Sequence, residues 1–438
     1  MVFSQSPSES ATPPKVGAIC IKAGNIKNFQ GKKYTCIKSG KNLVWNKGVV
    51  VSKKKPALTP TPTPTPTAPE TSPPTPAATP TPTPMKDLSS HESITLSSKL
   101  SDLSVCKTAD LTNQSRGSNG FPRPASAKTG KTNIRILFLP ISFTDFPFQM
   151  RDLNLNKQVA TEVQLFYSET SYGNVSLTFD FLEKEYWVEM GRSAASYNLI
   201  ENKPQQNNTQ VVEDALRLAD ASINFNLYDG VIVESTRFQS TGGGQGFPGE
   251  TFRTKSGLAK GVSLEFGTAV ANFNTIAHEL GHSLFSLEDL YVFLNANRPS
   301  VPDPTPAGSW DMMSNSSREF FGWNKLLNGW LLPNQVRCVT SQDSTVHYLE
   351  NIQFTSEKPK LTLINLQLGV TIAIETRSDF SDLGVLVYKI DSRIPHGEGP
   401  ITAQKTLLRA GKSLSMDGWR IEVQDVDSMG ALVKVSRG

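Results

Sequence analysis

The chain has 438 residues and a formal net charge of +4, from 44 Lys and Arg against 40 Asp and Glu. That length supports two or three cores, and the modest charge gives no reason to expect a nucleic-acid-binding protein. No apolar run is long enough to cross a bilayer as a helix, so no transmembrane segment is expected. The charge is uneven, however. Ala11 to Pro69 holds eleven lysines and no acidic residue, a local +11 that leaves 4 − 11 = −7 for the remainder. A basic N-terminal region on a mildly acidic body predicts either contact with an anionic surface, such as cell-wall polymer or lipid headgroups, or a plain solvated face.

The first unit is a small basic β module, residues 16–55. Gly31-Lys32-Lys33-Tyr34-Thr35-Cys36-Ile37-Lys38 and Lys41-Asn42-Leu43-Val44-Trp45 predict two short strands around a turn. About forty residues bury little surface, so a Cys20–Cys36 staple makes physical sense. Lys-Tyr-Thr-Cys and Leu-Val-Trp-Asn-Lys-Gly resemble small envelope-associated repeats of secreted actinobacterial proteins. Residues 56–85 follow as a spacer of Thr-Pro repeats, which favours extended polyproline II. Residues 86–130 are polar and serine-rich, a leader or pro-segment whose later part packs on the body.

The body proper is expected at 131–337. Ile134 to Ile141 is an apolar, β-rich run that predicts a central strand, followed by a helix over 155–171. Val175 to Phe181 alternates as a strand, 211–221 predicts a helix, and Gly230 to Val233 another buried strand. This order predicts a mixed α/β (α+β) fold. Residues 338–438 show only strand-like runs and predict a C-terminal β-sandwich. The pairing expected for the remaining cysteines is Cys106–Cys338, with a Cys106 thiolate capping a latent metal site as the alternative. Four widely spaced cysteines and the Thr-Pro spacer point to an exported protein, secreted or associated with the cell envelope. The numbered start, Met1-Val2-Phe3-Ser4-Gln5-Ser6, shows neither the basic nor the apolar part of a signal peptide.

His278-Glu279-Leu280-Gly281-His282 carries the chemistry. Histidines four apart lie one helical turn apart on one face, where both imidazoles reach a single Zn2+, and Glu279 is placed as general base toward water at that ion. Phe273, Ile276, Ala277, Leu280 and Leu284 fall on the opposite face of the same helix and would anchor it. A third ligand is required. Glu288, six residues after His282, is favoured by spacing. Asp289 is the alternative, because Phe285 stands where a glycine turn is usual and the helix would then run one residue longer. Gly308-Ser309-Trp310-Asp311-Met312-Met313-Ser314 is similar to a methionine turn, with Met313 as the residue beneath the histidines. The other histidines, His91, His347 and His396, are expected to be structural or exposed. Gln239 to Gly246 is expected to be a mobile loop at a cleft edge.

His-Glu-Leu-Gly-His, then Glu-Asp-Leu-Tyr at 288–291, Ser-Trp-Asp-Met-Met-Ser at 309–314 and Phe321-Gly322-Trp323-Asn324-Lys325-Leu326 resemble the immune-inhibitor-A family of secreted bacterial metallopeptidases. The resemblance runs from about Cys106 to the C-terminus and includes Gly120-Phe121-Pro122-Arg123. It implies a metzincin-like zinc endopeptidase acting on protein or peptide substrates, with ligands His278 and His282 and base Glu279. Whether a structural Ca2+ also binds is left open. Two rival readings are a gluzincin arrangement with Glu319 as third ligand, and a catalytically inactive surface-binding or adhesive protein on a peptidase fold.

Overall fold

The computed structural model describes residues 26–29, 32–39, 42–46 and 49–50, and residues 100–438 apart from 113–116, 200–206, 236–242, 267–272, 295–297, 315–318, 341–342 and 380–381. The chain forms two compact units, Met1–Thr81 and Pro82–Gly438. In the first, β1 (Ile26–Phe29), β2 (Lys32–Ser39), β3 (Asn42–Trp45) and β4 (Val49–Val50) form one antiparallel sheet around β2. The hairpin expected from the Lys-rich strands is β2–β3. Cys36 is buried on β2, while its expected partner Cys20, the Thr-Pro spacer and His91 lie outside the described residues.

The second unit opens with α1 (Leu103–Cys106), tied to the body by the Cys106–Cys338 disulfide. Cys106 is therefore no latent zinc ligand. The central strand β5 (Thr132–Ser142) is followed by α2 (Met150–Thr170), β6 (Val175–Phe181), β7 (Val188–Glu189), α3 (Asn208–Ala219) and β8 (Gly230–Ser235). Then come β9 (Gly243–Gly246), β10 (Phe252–Thr254), β11 (Gly257–Ala259), β12 (Val262–Phe266) and α4 (Phe273–Phe285). The main sheet has the order β6-β5-β8-β12-β9. Its inner pairs are parallel, and β9 closes it antiparallel to β12. Side chains on β5 alternate between two cores. Ile134, Ile136 and Phe138 pack with α2 and α4, whereas Leu137, Leu139 and Ile141 pack with α3. Burial on both faces is why that run is almost wholly apolar.

After α5 (Gly322–Leu327) and a short 3-10 turn at Pro333–Gln335, the regular elements among the described residues are all strands: β13 (Val336–Val339), β14 (Thr345–Glu350), β15 (Leu361–Gln367), β16 (Val370–Asp379), β17 (Asp382–Asp391), β18 (Ile401–Ala403), β19 (Ser413–Met416), β20 (Trp419–Val426) and β21 (Gly430–Arg437). They make two sheets, β13-β15-β16-β17-β18 and β14-β21-β20-β19, which share a core including Ile372, Val387, Trp419 and Val433. The first sheet also packs against the body that carries α2 and α4. Leu361, Tyr388 and Ile401 lie in the same apolar cluster as α2 and α4. The body and the β-rich tail are thus one packed unit.

His347, on β14, is wholly buried with Nε2 2.8 Å from Thr345 Oγ1. Burial, and then the Arg337 charge, push its imidazole down to about 3. The folded chain keeps the ring neutral, whereas the unfolded chain takes up a proton near pH 6.5. This contribution to stability is therefore complete above about pH 6.5 and is lost as the pH falls toward 3. From pH 7 to pH 5 the wild type should lose roughly 2 kcal/mol more unfolding free energy than His347→Gln. Urea titrations of both proteins at the two pH values check this, and parallel losses would show that the ring titrates normally.

Candidate metal centre

Helix α4 presents its apolar side to the core through Ile276, Ala277, Leu280 and Leu284, and Tyr167 on α2 donates to the Ala277 carbonyl at 2.6 Å. The opposite side carries His278, Glu279 and His282 into a cleft of about 180 Å³. Gly281 lies over Met313: a Cβ there would stand 2.4 Å from the methionine sulfur. The thioether thus fills the space beneath the turn that separates the two histidines.

The helix ends one residue late. Phe285 is its last residue, and Ser286 then adopts a left-handed conformation at φ 49°. Its N–H still donates to His282 O at 2.9 Å, and Leu287 N–H reaches Gly281 O at 3.0 Å. This turn decides which acid faces the histidines. Asp289 Oδ1 lies 2.9 Å from His278 Nε2 and 3.2 Å from His282 Nε2. The favoured third ligand, Glu288, points elsewhere, with Oε1 3.6 Å from His396 Nδ1. The structure brings together the alternative, Asp289, because the extra helical residue shifts the register by one. Glu319 is occupied too, 2.9 Å from the buried Lys325 ammonium.

Both histidines are oriented by the backbone. His278 Nδ1 lies 3.0 Å from Met312 O, and His282 Nδ1 lies 2.7 Å from Leu287 O. A carbonyl only accepts, so each Nδ1 carries a proton, which leaves each Nε2 as the atom that would bind an ion once the ring is neutral. The two Nε2 atoms are 3.1 Å apart. His278, His282 and Asp289 each offer a ligand atom, all within 4.8 Å of one another, and among the described residues they are the one such group. Two imidazole nitrogens and a carboxylate oxygen suit a zinc-type ion. Without an ion, burial works against a charged His282, yet Asp289 outweighs it and holds the ring up at about 9. Asp289 is correspondingly held well below the carboxylate range by the histidines, against its own burial.

Glu279 is set apart from this group. Its Oε2 accepts the Gly246 N–H of β9 at 2.6 Å. The glycines of β9 permit that approach, for a Cβ on Gly246 would lie 2.5 Å from His282 Cβ and 2.7 Å from Glu279 O. The expected mobile loop is therefore, over its described part, an edge strand laid against the helix. A Cβ on Gly244 would lie 2.9 Å from both Glu265 Oε2 and Glu279 Oε1, so a second carboxyl group converges on the first from β12. Burial, followed by the charges of Glu279 and Glu234, raises Glu265 well above the carboxylate range and so favours its neutral form.

Sequence reasoning missed Gly246, Glu265, Tyr291 and His396. Tyr291 and His396 line the cleft with the histidines and Asp289, and His396 is neither a core histidine nor a surface one. Only the short distance of Tyr291 from Asp289 in the chain could have signalled the first. Nothing local could have signalled the last, which arrives from the β-rich tail. No protein-family model matches this chain, and no curated protein matches it.

The close contact between β9 and α4 makes a specific demand. Gly246→Ala should lower stability by about 1–3 kcal/mol, the usual range for an overpacked site. Denaturant unfolding measures this, and an unchanged midpoint would mean that strand and helix do not meet so closely.

Proposed function

We propose that this chain is a zinc-dependent endopeptidase, with His278, His282 and Asp289 as metal ligands and Glu279 as general base. The convergence of two imidazole Nε2 atoms and one carboxylate oxygen, beside a carboxylate held outside the cluster, carries this reading. Mg2+ and Ca2+ prefer all-oxygen shells, whereas a mixed nitrogen and oxygen set favours zinc. When bound, the ion would supply Lewis acidity, polarising the scissile carbonyl and acidifying water.

The remaining work falls to the chain's own groups. Glu279, with one oxygen fixed by Gly246 N–H, takes a proton from the attacking water and passes it to the departing amine. The buried, neutral Glu265 excludes a second negative charge beside that base. An extended peptide can add to the edge strand β9, which ends the sheet beside the helix. The cleft continues on both sides of His278 and Glu279. One arm reaches Pro248, Glu250 and Phe293, and the other Asn274, Thr275 and Ser314. Room on both sides supports cleavage within a chain and not only at its end.

The same features support the finer, metzincin-like assignment. Met313 under Gly281 fits a metzincin-like site, in agreement with the resemblance to immune-inhibitor-A peptidases. The Cys106–Cys338 disulfide supports an exported enzyme. The lysines of the N-terminal module would hold it near an anionic envelope.

Cleavage of unfolded casein by the wild type and by Glu279→Ala tests the base. The variant should keep about one zinc per chain and lose roughly 100-fold or more in rate, as expected when a general base is removed. Equal rates would remove Glu279 from the mechanism. For the ligands, Asp289→Ala should abolish stoichiometric zinc binding while Glu288→Ala retains it at saturating metal. The reverse pattern in metal analysis would restore Glu288 as the third ligand.

A further inference from the structure

The β-rich tail sends one segment to the cleft, between β17 and β18. Val292 pairs with Glu398 as a bridge, and Phe293 N–H donates to Gly397 O at 2.8 Å. Arg298 clamps Glu398 at 2.7 Å. This segment is therefore fastened to the stretch that immediately follows Asp289. It delivers His396, whose ring packs edge-on against Phe293 with centroids 5.0 Å apart. The two ring nitrogens stand between the two consecutive acids. Nδ1 lies 3.6 Å from Glu288 Oε1, and Nε2 lies 3.6 Å from Asp289 Oδ2. The other oxygen of Asp289, Oδ1, is the one facing His278 and His282.

We propose that His396 is a positioning residue for the metal centre: lodged between Glu288 and Asp289, it fixes the Asp289 carboxylate so that Oδ1 stays on the two histidines, and the β-rich tail thereby completes the site. The inference rests on the metal-site reading above and adds to it a Glu288–His396–Asp289 chain. A carboxylate ligand with two equivalent oxygens turns more readily when the second is not held. Groups that hold ligands in this way commonly contribute 10–100-fold to metal affinity. The arrangement also places the Glu288 carboxylate on the far side of the imidazole, 3.6 Å from Nδ1.

Zinc affinity of the full chain, measured by competition with a chromophoric chelator, tests this. His396→Ala should bind zinc about 10–100-fold more weakly than the wild type. His396→Gln, whose amide keeps a donor on the Asp289 Oδ2 side, should recover part of the loss. The thermal unfolding of the metal-free proteins should coincide, which a merely structural role would not predict. A folded His396→Ala with affinity within about twofold of wild type would overturn the inference, since the effect would fall below the range for such groups. If His396→Ala does not fold, Glu288→Gln decides the matter: weaker zinc binding supports the chain of contacts, and unchanged binding overturns it. Absence of zinc binding by the wild type, or full retention by Asp289→Ala, would instead overturn the metal-site reading and this inference with it.

Discussion

The turn that ends α4 is the constraint on which the site depends. A non-glycine residue in the left-handed region costs roughly 1–2 kcal/mol, and Ser286 occupies it. The surrounding chain holds it there. Arg123 donates to the carbonyls of Phe285 at 2.6 Å and Ser286 at 2.9 Å, and its other terminal nitrogen reaches Ser118 O at 2.6 Å. Ser118 N–H donates to Ser286 O, and Lys128 N–H to Leu284 O. Carbonyls left open by the helix end are thus met by a guanidinium and two amides. From this turn Leu287 O is placed to orient His282, and Asp289 is placed to face both imidazoles.

The residues that support the turn come from the stretch that looks, in sequence, like a leader. Their role is structural over the described part. Cys106 is bonded to Cys338, Ser101 N–H pairs with Cys338 O, and Arg123 caps the helix. Removing residues 100–130 would break all three connections.

The tail supports the site from the other side through buried charge. Arg377 on β16 pairs with Glu375 and donates to the carbonyls of Trp310 and Phe320, which flank the methionine turn. Glu375 in turn accepts from Gly322 N–H at 2.6 Å and from the Tyr388 hydroxyl at 2.8 Å. Within the turn, Asp311 accepts from Met313 N–H at 2.7 Å and from the Asn324 amide at 2.9 Å. Such charges are expensive to bury and specify geometry only when every partner is present. Here they fix the loop whose Met312 carbonyl orients His278 and whose Met313 lies under Gly281. The β-rich tail is part of the same machine.

Much of this was legible along the chain. The apolar run of β5, the alternation of β6 and the β-only tail follow from local periodicity, and each element appears with boundaries shifted by a few residues. The helix with two histidines and a glutamate on one face needed only the 3.6-residue repeat. Phe285 in a glycine's place signalled a longer helix, though spacing alone still favoured Glu288. What the linear order could not contain was convergence. Arg123, Gly246, Glu265 and His396 come from four separate segments, and each gains its role by meeting α4 or the stretch after it. By itself, then, the sequence determined the elements and the pair of histidines, because periodicity acts over a few residues. Tertiary packing alone decided which acid faces them and what surrounds Glu279, because those contacts join residues far apart in the chain.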